Sequence, residues 1–213
     1  KEAKGRSNKM AFFIASSGRS YTLLANSLPS ARGQGEPLTG RLTPPIGAEF
    51  IDVVMGDDEQ LVILSSDAGY GFISTLGDLQ SKTKSGKHAI TLSKEAKTMR
   101  LTKVQNLESD YLAVITNRAR LLIFQVSELP HLSKGKGNKL INIKTDDFVA
   151  KEEFLIGLCI IKENQKLRVE YGNGKKHKQY SFSDLVNFTS HRARKGLTVP
   201  GVHGKALGID AID

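Results

Sequence analysis

The chain has 213 residues, 39% of them hydrophobic and 25% charged, the balance of a folded protein able to bury a sizeable core rather than a disordered one. No apolar run approaches the roughly 20 residues of a membrane-spanning helix, and no signal-peptide pattern opens the sequence. Lys and Arg outnumber Asp and Glu by 31 to 22, giving a net charge of +9 and a pI near 9.6, which points to a polyanionic partner.

Residues 1–11 are basic and read as the tail of an earlier unit, because a strand follows almost at once. A near-repeat then begins. Its first copy has an apolar run at 12–15, a polar turn at 16–18, a second run at 21–24 that leads to Leu28, and a loop at 31–35 with Arg32. The second has runs at 61–64 and 72–73, Leu79, and a loop at 82–87 around Gly86. The third has runs at 112–115 and 121–124, Leu129, and a loop at 133–137. The fourth has runs at 167–169 and 180–182, Leu185, and a loop at 192–196. Leu28, Leu79, Leu129 and Leu185 lie 51, 50 and 56 residues apart, and a further apolar run closes each copy, at 50–55, 99–104, 154–161 and 206–212.

The runs are short, rich in Val, Ile, Phe and Tyr, and broken every few residues by Gly, Asn, Asp or Ser, which reads as strand. Short helices are expected only at 76–80 and 182–187. One such unit alone would be marginal, with two wet faces and open edges, whereas units packed side by side bury those faces. A strand-and-turn period near fifty residues is the sequence form of a radial or solenoidal β-architecture. The expectation is one all-β, propeller-like domain over 1–213, with roughly 50-residue four-stranded blades at about 12–60, 61–110, 111–165 and 166–213.

The charge is uneven. Residues 166–213 carry +5, residues 61–110 and 111–165 carry +2 each, and residues 12–60 carry −3. Cations gather in the equivalent glycine-containing loops, where small residues let a backbone approach a phosphate with N–H donors and positive charge at hand. The candidate DNA-contacting residues are Arg19, Arg32, Lys82, Lys84, Lys87, Arg118, Arg120, Lys134, Lys136, Lys139, Lys175, Lys176, Arg192, Arg194 and Lys195. Loops repeated at blade spacing would line one perimeter, and a duplex bound there would bend. The absence of Trp and the scarcity of aromatics in these loops argue against stacking of single strands.

No catalytic set is visible. His88, His131, His177, His191 and His203 are scattered, with no metal-ligand spacing, and are read as surface or turn residues. Asp57-Asp58-Glu59 and Asp146-Asp147 are read as solvated turns between strands. The sequence has no phosphate-binding loop opening a helix. Cys159, the one cysteine, cannot form an internal disulfide and is read as a small buried hydrophobe.

At 17–42, which includes Gly18-Arg19-Ser20-Tyr21 and the run LPSARGQGEPLTG at 28–40, and at 66–72 (SDAGYGF) and 129–139 (LPHLSKGKGNK), the chain resembles the C-terminal domain of the ParC-type polypeptide of bacterial topoisomerase IV, in the gyrase A family. The resemblance spans essentially the whole chain. It implies a β-pinwheel whose blades exchange strands with their neighbours, four of them complete here in a ring of about five, binding and bending duplex DNA on the outer edge. It also implies partners: duplex DNA, the N-terminal cleavage core of the same polypeptide, and the separate ATPase polypeptide of topoisomerase IV. ATP and Mg²⁺ would serve the holoenzyme, with no cofactor in this chain. The place of work would be the cytoplasm and its chromosome, with peripheral membrane association in the family.

The Gln-Arg-Arg-Gly-Gly-Lys-Gly box of gyrase A is absent, and 31–35 and 133–137 are only degenerate versions, which argues against gyrase-like supercoiling. The cleavage tyrosine of such enzymes lies in their N-terminal region. Tyr21, Tyr70, Tyr111, Tyr171 and Tyr180 are therefore strand and turn aromatics. Two rivals remain at this point: a protein-interaction propeller whose basic rim takes an acidic partner, and a divergent gyrase A wrapping domain.

Overall fold

The computed structural model describes residues 2–29 and 32–213. The first copy of the repeat supplies β1 (Met10–Ala15), β2 (Arg19–Leu24) and β3 (Phe50–Met55). The second supplies β4 (Leu61–Ser65), β5 (Tyr70–Thr75), β6 (Lys87–His88) and β7 (Thr102–Lys103). The third supplies β8 (Tyr111–Thr116), β9 (Arg120–Gln125), β10 (Asn138–Lys139), the short helix α1 (Thr145–Val149) and β11 (Leu155–Ile161). The fourth supplies β12 (Lys166–Tyr171), β13 (Lys176–Ser181), β14 (Leu197–Thr198) and β15 (Ala206–Ile212). The class is all-β, as the apolar runs require.

Contacts divide the chain into two compact units, one of Lys1–Ser65, Phe72–Lys103 and His131–Lys136, the other of Ser66–Gly71, Val104–Pro130 and Gly137–Asp213. In the first, a sheet runs β3-β1-β2-β6 with all neighbours antiparallel. Side chains alternate across a strand, so the two faces of β1 go different ways. Phe12 and Ile14 join Leu64, Phe72, Leu76 and Ile90 in one core, whereas Ala11, Phe13 and Ala15 join Tyr21 and Leu42 in another. Burial on both faces explains why β1 is an unbroken apolar run.

In the second unit the sheets run β11-β8-β9-β14 and β13-β12-β15. One core joins Ala113, Ile115, Leu121 and Ile123 to Leu167, Val169 and Ile209. The second, third and fourth leucines of the repeat mark its period because Leu79, Leu129 and Leu185 are buried where the second strand gives way to a 3₁₀ turn, while Leu28 is half-buried.

Strand exchange follows one rule. Each short strand that follows a basic loop pairs with the preceding repeat: β6 on β2 (Ser20↔Lys87, Arg19↔His88), β10 on β5 (Gly71↔Asn138, Tyr70↔Lys139) and β14 on β9 (Leu121↔Leu197, Arg120↔Thr198). The glycine just before each (Gly86, Gly137, Gly196) has φ of 73°, 74° and 73°, as does Gly35 in the first copy at 73°. At Gly86 a Cβ would fall 2.7 Å from the Ser20 carbonyl oxygen and at Gly196 2.7 Å from that of Leu121, so both the left-handed backbone and the close approach demand glycine.

Three expectations change in detail. The run at 99–104 is strand only at β7, because the Leu101 amide donates to the Asp52 carboxylate (3.1 Å) instead of to a ladder. Asp146 and Asp147 open α1 rather than an irregular turn; carboxylates are favourable in a first helical turn, and Phe148 buries the inner face. The short helices at 76–80 and 182–187 are 3₁₀ turns, Gly77–Leu79 and Phe182–Phe188, the latter with a capping box between Ser181 and Asp184 that takes Phe182 out of β13. No helix among the described residues is long and apolar enough to cross a membrane.

Candidate nucleic-acid interface

The basic loops are held by backbone hydrogen bonds to the strand swapped ahead of them. In the first unit the Gly135 amide donates to the Ala89 carbonyl (3.3 Å) and the Thr91 amide to the Gly135 carbonyl (2.8 Å), seating the Lys134–Lys136 turn beside the segment that carries Lys87. In the second unit the Ala193 amide donates to the Leu140 carbonyl (2.8 Å) and the Asn142 amide to the Arg194 carbonyl (2.9 Å), seating 192–195 beside the segment that carries Lys139. The same device thus recurs in each unit, and it puts cations on turns of fixed backbone.

The fifteen candidates then separate by burial and partner. Lys82, Lys84, Lys134, Lys136, Lys175, Lys176, Arg194 and Lys195 keep solvent access, as does Arg32. Lys82 and Lys84 flank a cleft of about 310 Å³ shared with Thr22, Arg41, Ser81 and Thr83. Arg41 there pairs with Glu36. Ala31, in the first loop, lies outside the described residues.

Six other candidates turn back onto named groups of the protein. Arg19 is half-buried and donates to the carbonyls of Ser85 (2.8 Å) and Gly86 (2.9 Å). Lys87 Nζ donates to the Asp78 carbonyl at 2.6 Å, and Lys139 Nζ to Asn142 Oδ1 at 3.1 Å. Arg192 is half-buried, donating to the carbonyls of Glu128 (3.1 Å) and Lys139 (3.3 Å). Arg118 is exposed but paired with Glu152 at 2.8 Å and Asp147 at 3.8 Å.

Arg120 does not belong to a surface at all. It is 8% exposed and forks onto Glu153, itself 2% exposed. Its neighbours Ala119 and Leu121 are buried as well, because both faces of β9 are covered. Burial pushes the Glu153 carboxyl up, yet the hydrogen bonds from Arg120 and Thr116 outweigh that and hold it below its ordinary range.

The sequence reading missed Lys178, exposed beside Lys176 and His177 on β13, although the run KKHK at 175–178 announces it. Also missed were the carboxylates that hold the loops: Glu153, and Glu128, whose Oε2 accepts the Arg192 amide at 3.1 Å. Cys159 is half-buried in β11, and burial pushes its thiol up to about 12, which keeps it protonated and unreactive. Tyr180 donates to the Pro200 carbonyl at 2.6 Å, and burial raises its phenol. Among the described residues no group of three or more His, Cys, Asp or Glu side chains is placed to hold a metal ion.

A family model described as the DNA gyrase C-terminal domain, a β-propeller, matches residues 60–104 and 110–151. The solved structure of the ParC C-terminal domain of Escherichia coli superposes with a TM-score of 0.88 at 39% identity, covering 98% of this chain and 83% of that one. The chain belongs to the topoisomerase IV (ParC) branch of the gyrase A C-terminal family. The A subunit of DNA topoisomerase 4 from Pseudomonas aeruginosa is 46% identical over 198 residues, and its E. coli equivalent 42% over 199, each alignment covering 93% of this chain. The chain spans about a quarter of the length of these curated relatives, 26% of each. A gyrase A C-terminal domain with a TM-score of 0.74 at 14% identity, which this chain covers to 68%, shares the fold.

Proposed function

We propose that this chain is a non-catalytic domain that binds and bends duplex DNA, presenting segments to the strand-passage core of topoisomerase IV for decatenation and relaxation. In this reading the cleavage region of the same polypeptide works with a separate ATPase polypeptide, and these use the ATP and Mg²⁺. This chain takes no cofactor, and the work is done on the chromosome in the cytoplasm. One observation carries the reading: solvent-accessible Lys and Arg stand on hydrogen-bonded turns in both units, Lys82, Lys84 and Lys134 in one and Arg194 and Lys195 in the other. Cations on fixed backbone suit phosphates, and the α-helix among the described residues, α1, is only five residues long, too short to read a groove, so binding is to the backbone and independent of sequence. Bending about 20–30 bp through 40–90° costs on the order of 1–6 kcal/mol, which several neutralised phosphates offset.

Duplex binding followed by fluorescence anisotropy across a salt series tests this. Affinity should fall steeply with salt, and the paired change Arg194→Ala/Lys195→Ala should lower the log–log slope by about 2, one for each phosphate left without its cation. Lys82→Ala/Lys84→Ala should do the same, and Lys94→Ala/Lys97→Ala less. Equal effects from loop and non-loop pairs would mean that diffuse charge holds the DNA. Salt-insensitive binding, or none, would favour an acidic protein as the partner of the same turns.

A further inference from the structure

The guanidinium of Arg120 spends its donors in three directions. Nε donates to Glu153 Oε1 at 2.6 Å and Nη2 pairs with Oε2 at 2.5 Å, a two-point fork. Nη1 donates to the backbone carbonyl of Lys195, and Nη2 also reaches that of Asn142 at 3.2 Å. Glu153 is held in turn by Thr116 Oγ1 at 2.8 Å. The residues beside it are pinned to the β8–β9 turn, since the Asn117 side chain donates to the Glu152 carbonyl (3.0 Å) and accepts the Phe154 amide (3.0 Å).

The segment at the far end is one that needs holding. Ala193 and Gly196 both have positive φ, 65° and 73°, so the loop makes two left-handed steps within four residues. Between them stand Arg194 and Lys195, both open to solvent. A neutral donor at position 120 would suffice to satisfy two carbonyls. A buried guanidinium with its own buried carboxylate instead fixes several acceptors in one plane, since the fork is rigid and charge-assisted bonds are short.

We propose that the Arg120–Glu153 pair positions the Arg194–Lys195 turn for phosphate contact, so that Arg120 and Glu153 act on DNA through that loop without touching it. This rests on the DNA-binding reading above. A turn already fixed loses less conformational freedom on binding, and its cations meet adjacent phosphates without rearrangement.

The test combines two readouts on the full 213-residue chain. Glu153→Gln keeps the volume and one acceptor oxygen while removing the charge. Arg120→Lys keeps a buried cation against Glu153 but loses the fork that reaches Lys195 and Asn142, so it also serves if the first variant does not fold. In either, hydrogen exchange at the Ala193 and Asn142 amides, which report the seating of the loop, should accelerate by about tenfold while amides of β12 and β15 hold their rates. Affinity for a duplex oligonucleotide should fall by about three- to tenfold, and that decrease should vanish in an Arg194→Ala/Lys195→Ala background. Equal decreases in both backgrounds, or unchanged exchange at the two amides, would overturn the proposal. A parent chain without salt-dependent duplex binding would instead remove the DNA reading, while exchange would still decide whether the pair fixes the loop.

Discussion

Arg19 and Arg120 occupy the same place in two repeats, opening the second strand of a hairpin and facing the second residue of a swapped strand, His88 in one unit and Thr198 in the other. Both send guanidinium hydrogens to carbonyls at the foot of the next basic loop, Ser85 and Gly86 in the first case and Lys195 in the second. Their surroundings differ. Arg19 is half-buried, and the acceptors of these bonds are neutral carbonyls, whereas Arg120 is enclosed and carries Glu153 with it. A guanidinium that keeps water around it needs no countercharge; one removed from water is costly unless paired. The repeat fixes where a cation stands, and the depth of its pocket fixes whether it needs an acid of its own.

Removing each arginine is the strongest way to break that comparison. Arg120→Met would leave the buried Glu153 carboxylate without its paired cation, with the Thr116 hydroxyl and the more distant Arg118 to answer it, a loss of about 3–5 kcal/mol. Arg19→Met removes two half-exposed bonds to carbonyls and should cost about 1–2 kcal/mol. Urea unfolding midpoints at constant slope measure both, and equal losses would mean that the buried acid adds nothing.

The glycine ahead of each swapped strand gives a smaller contrast. Gly196→Ala meets both a positive φ and the Leu121 carbonyl, and should cost about 2–3 kcal/mol. Gly35 shares the φ but has open space around it, so Gly35→Ala should cost only the left-handed penalty, about 1 kcal/mol. Thermal unfolding of the two variants separates backbone strain from crowding.

Much of this was readable from residues alone. The period of Leu79, Leu129 and Leu185, with half-buried Leu28 in step, announced the repeat because a residue buried at a strand end recurs wherever the unit recurs. The resemblance carried strand exchange; periodicity could not, since β6, β10 and β14 are two residues long and Lys87-His88 or Asn138-Lys139 look like loop. The candidate cations were found as a class but not sorted. Nothing in the local sequence tells Lys195, open to solvent, from Arg192, which lies three residues earlier and is half-buried, because the distinction lies in Glu128, 64 residues away. Arg120 and Glu153 are 33 residues apart, and their pairing depends on the chain turning through α1.

The mildest test of the comparison varies pH. Glu153 is pushed up by burial but held below its ordinary value of 4.5 by Arg120 and Thr116, with Arg118 adding to the pull. A carboxyl whose folded pKa is depressed contributes stability that is complete above the unfolded value and fades as pH falls through the folded one. Stability should therefore hold above about pH 5 and decline below about 4.5, towards the point where Glu153 takes up its proton in the folded state. Other carboxyls share that limb: Asp57, lowered by exposed Lys9, and Asp184, lowered by its bond to Ser181. The informative quantity is the difference between the parent and Glu153→Gln, in which those two are common and cancel. The gap between their unfolding free energies should be widest near neutral pH and should narrow as pH drops below 4.5, because the parent alone loses the ionised form there. No counterpart acid is bonded to Arg19 among the described residues, so Arg19→Met should track the parent at a constant offset over the same range. A gap for Glu153→Gln that does not narrow would mean that the carboxylate's charge does not stabilise the fold and that shape alone holds Arg120 in place.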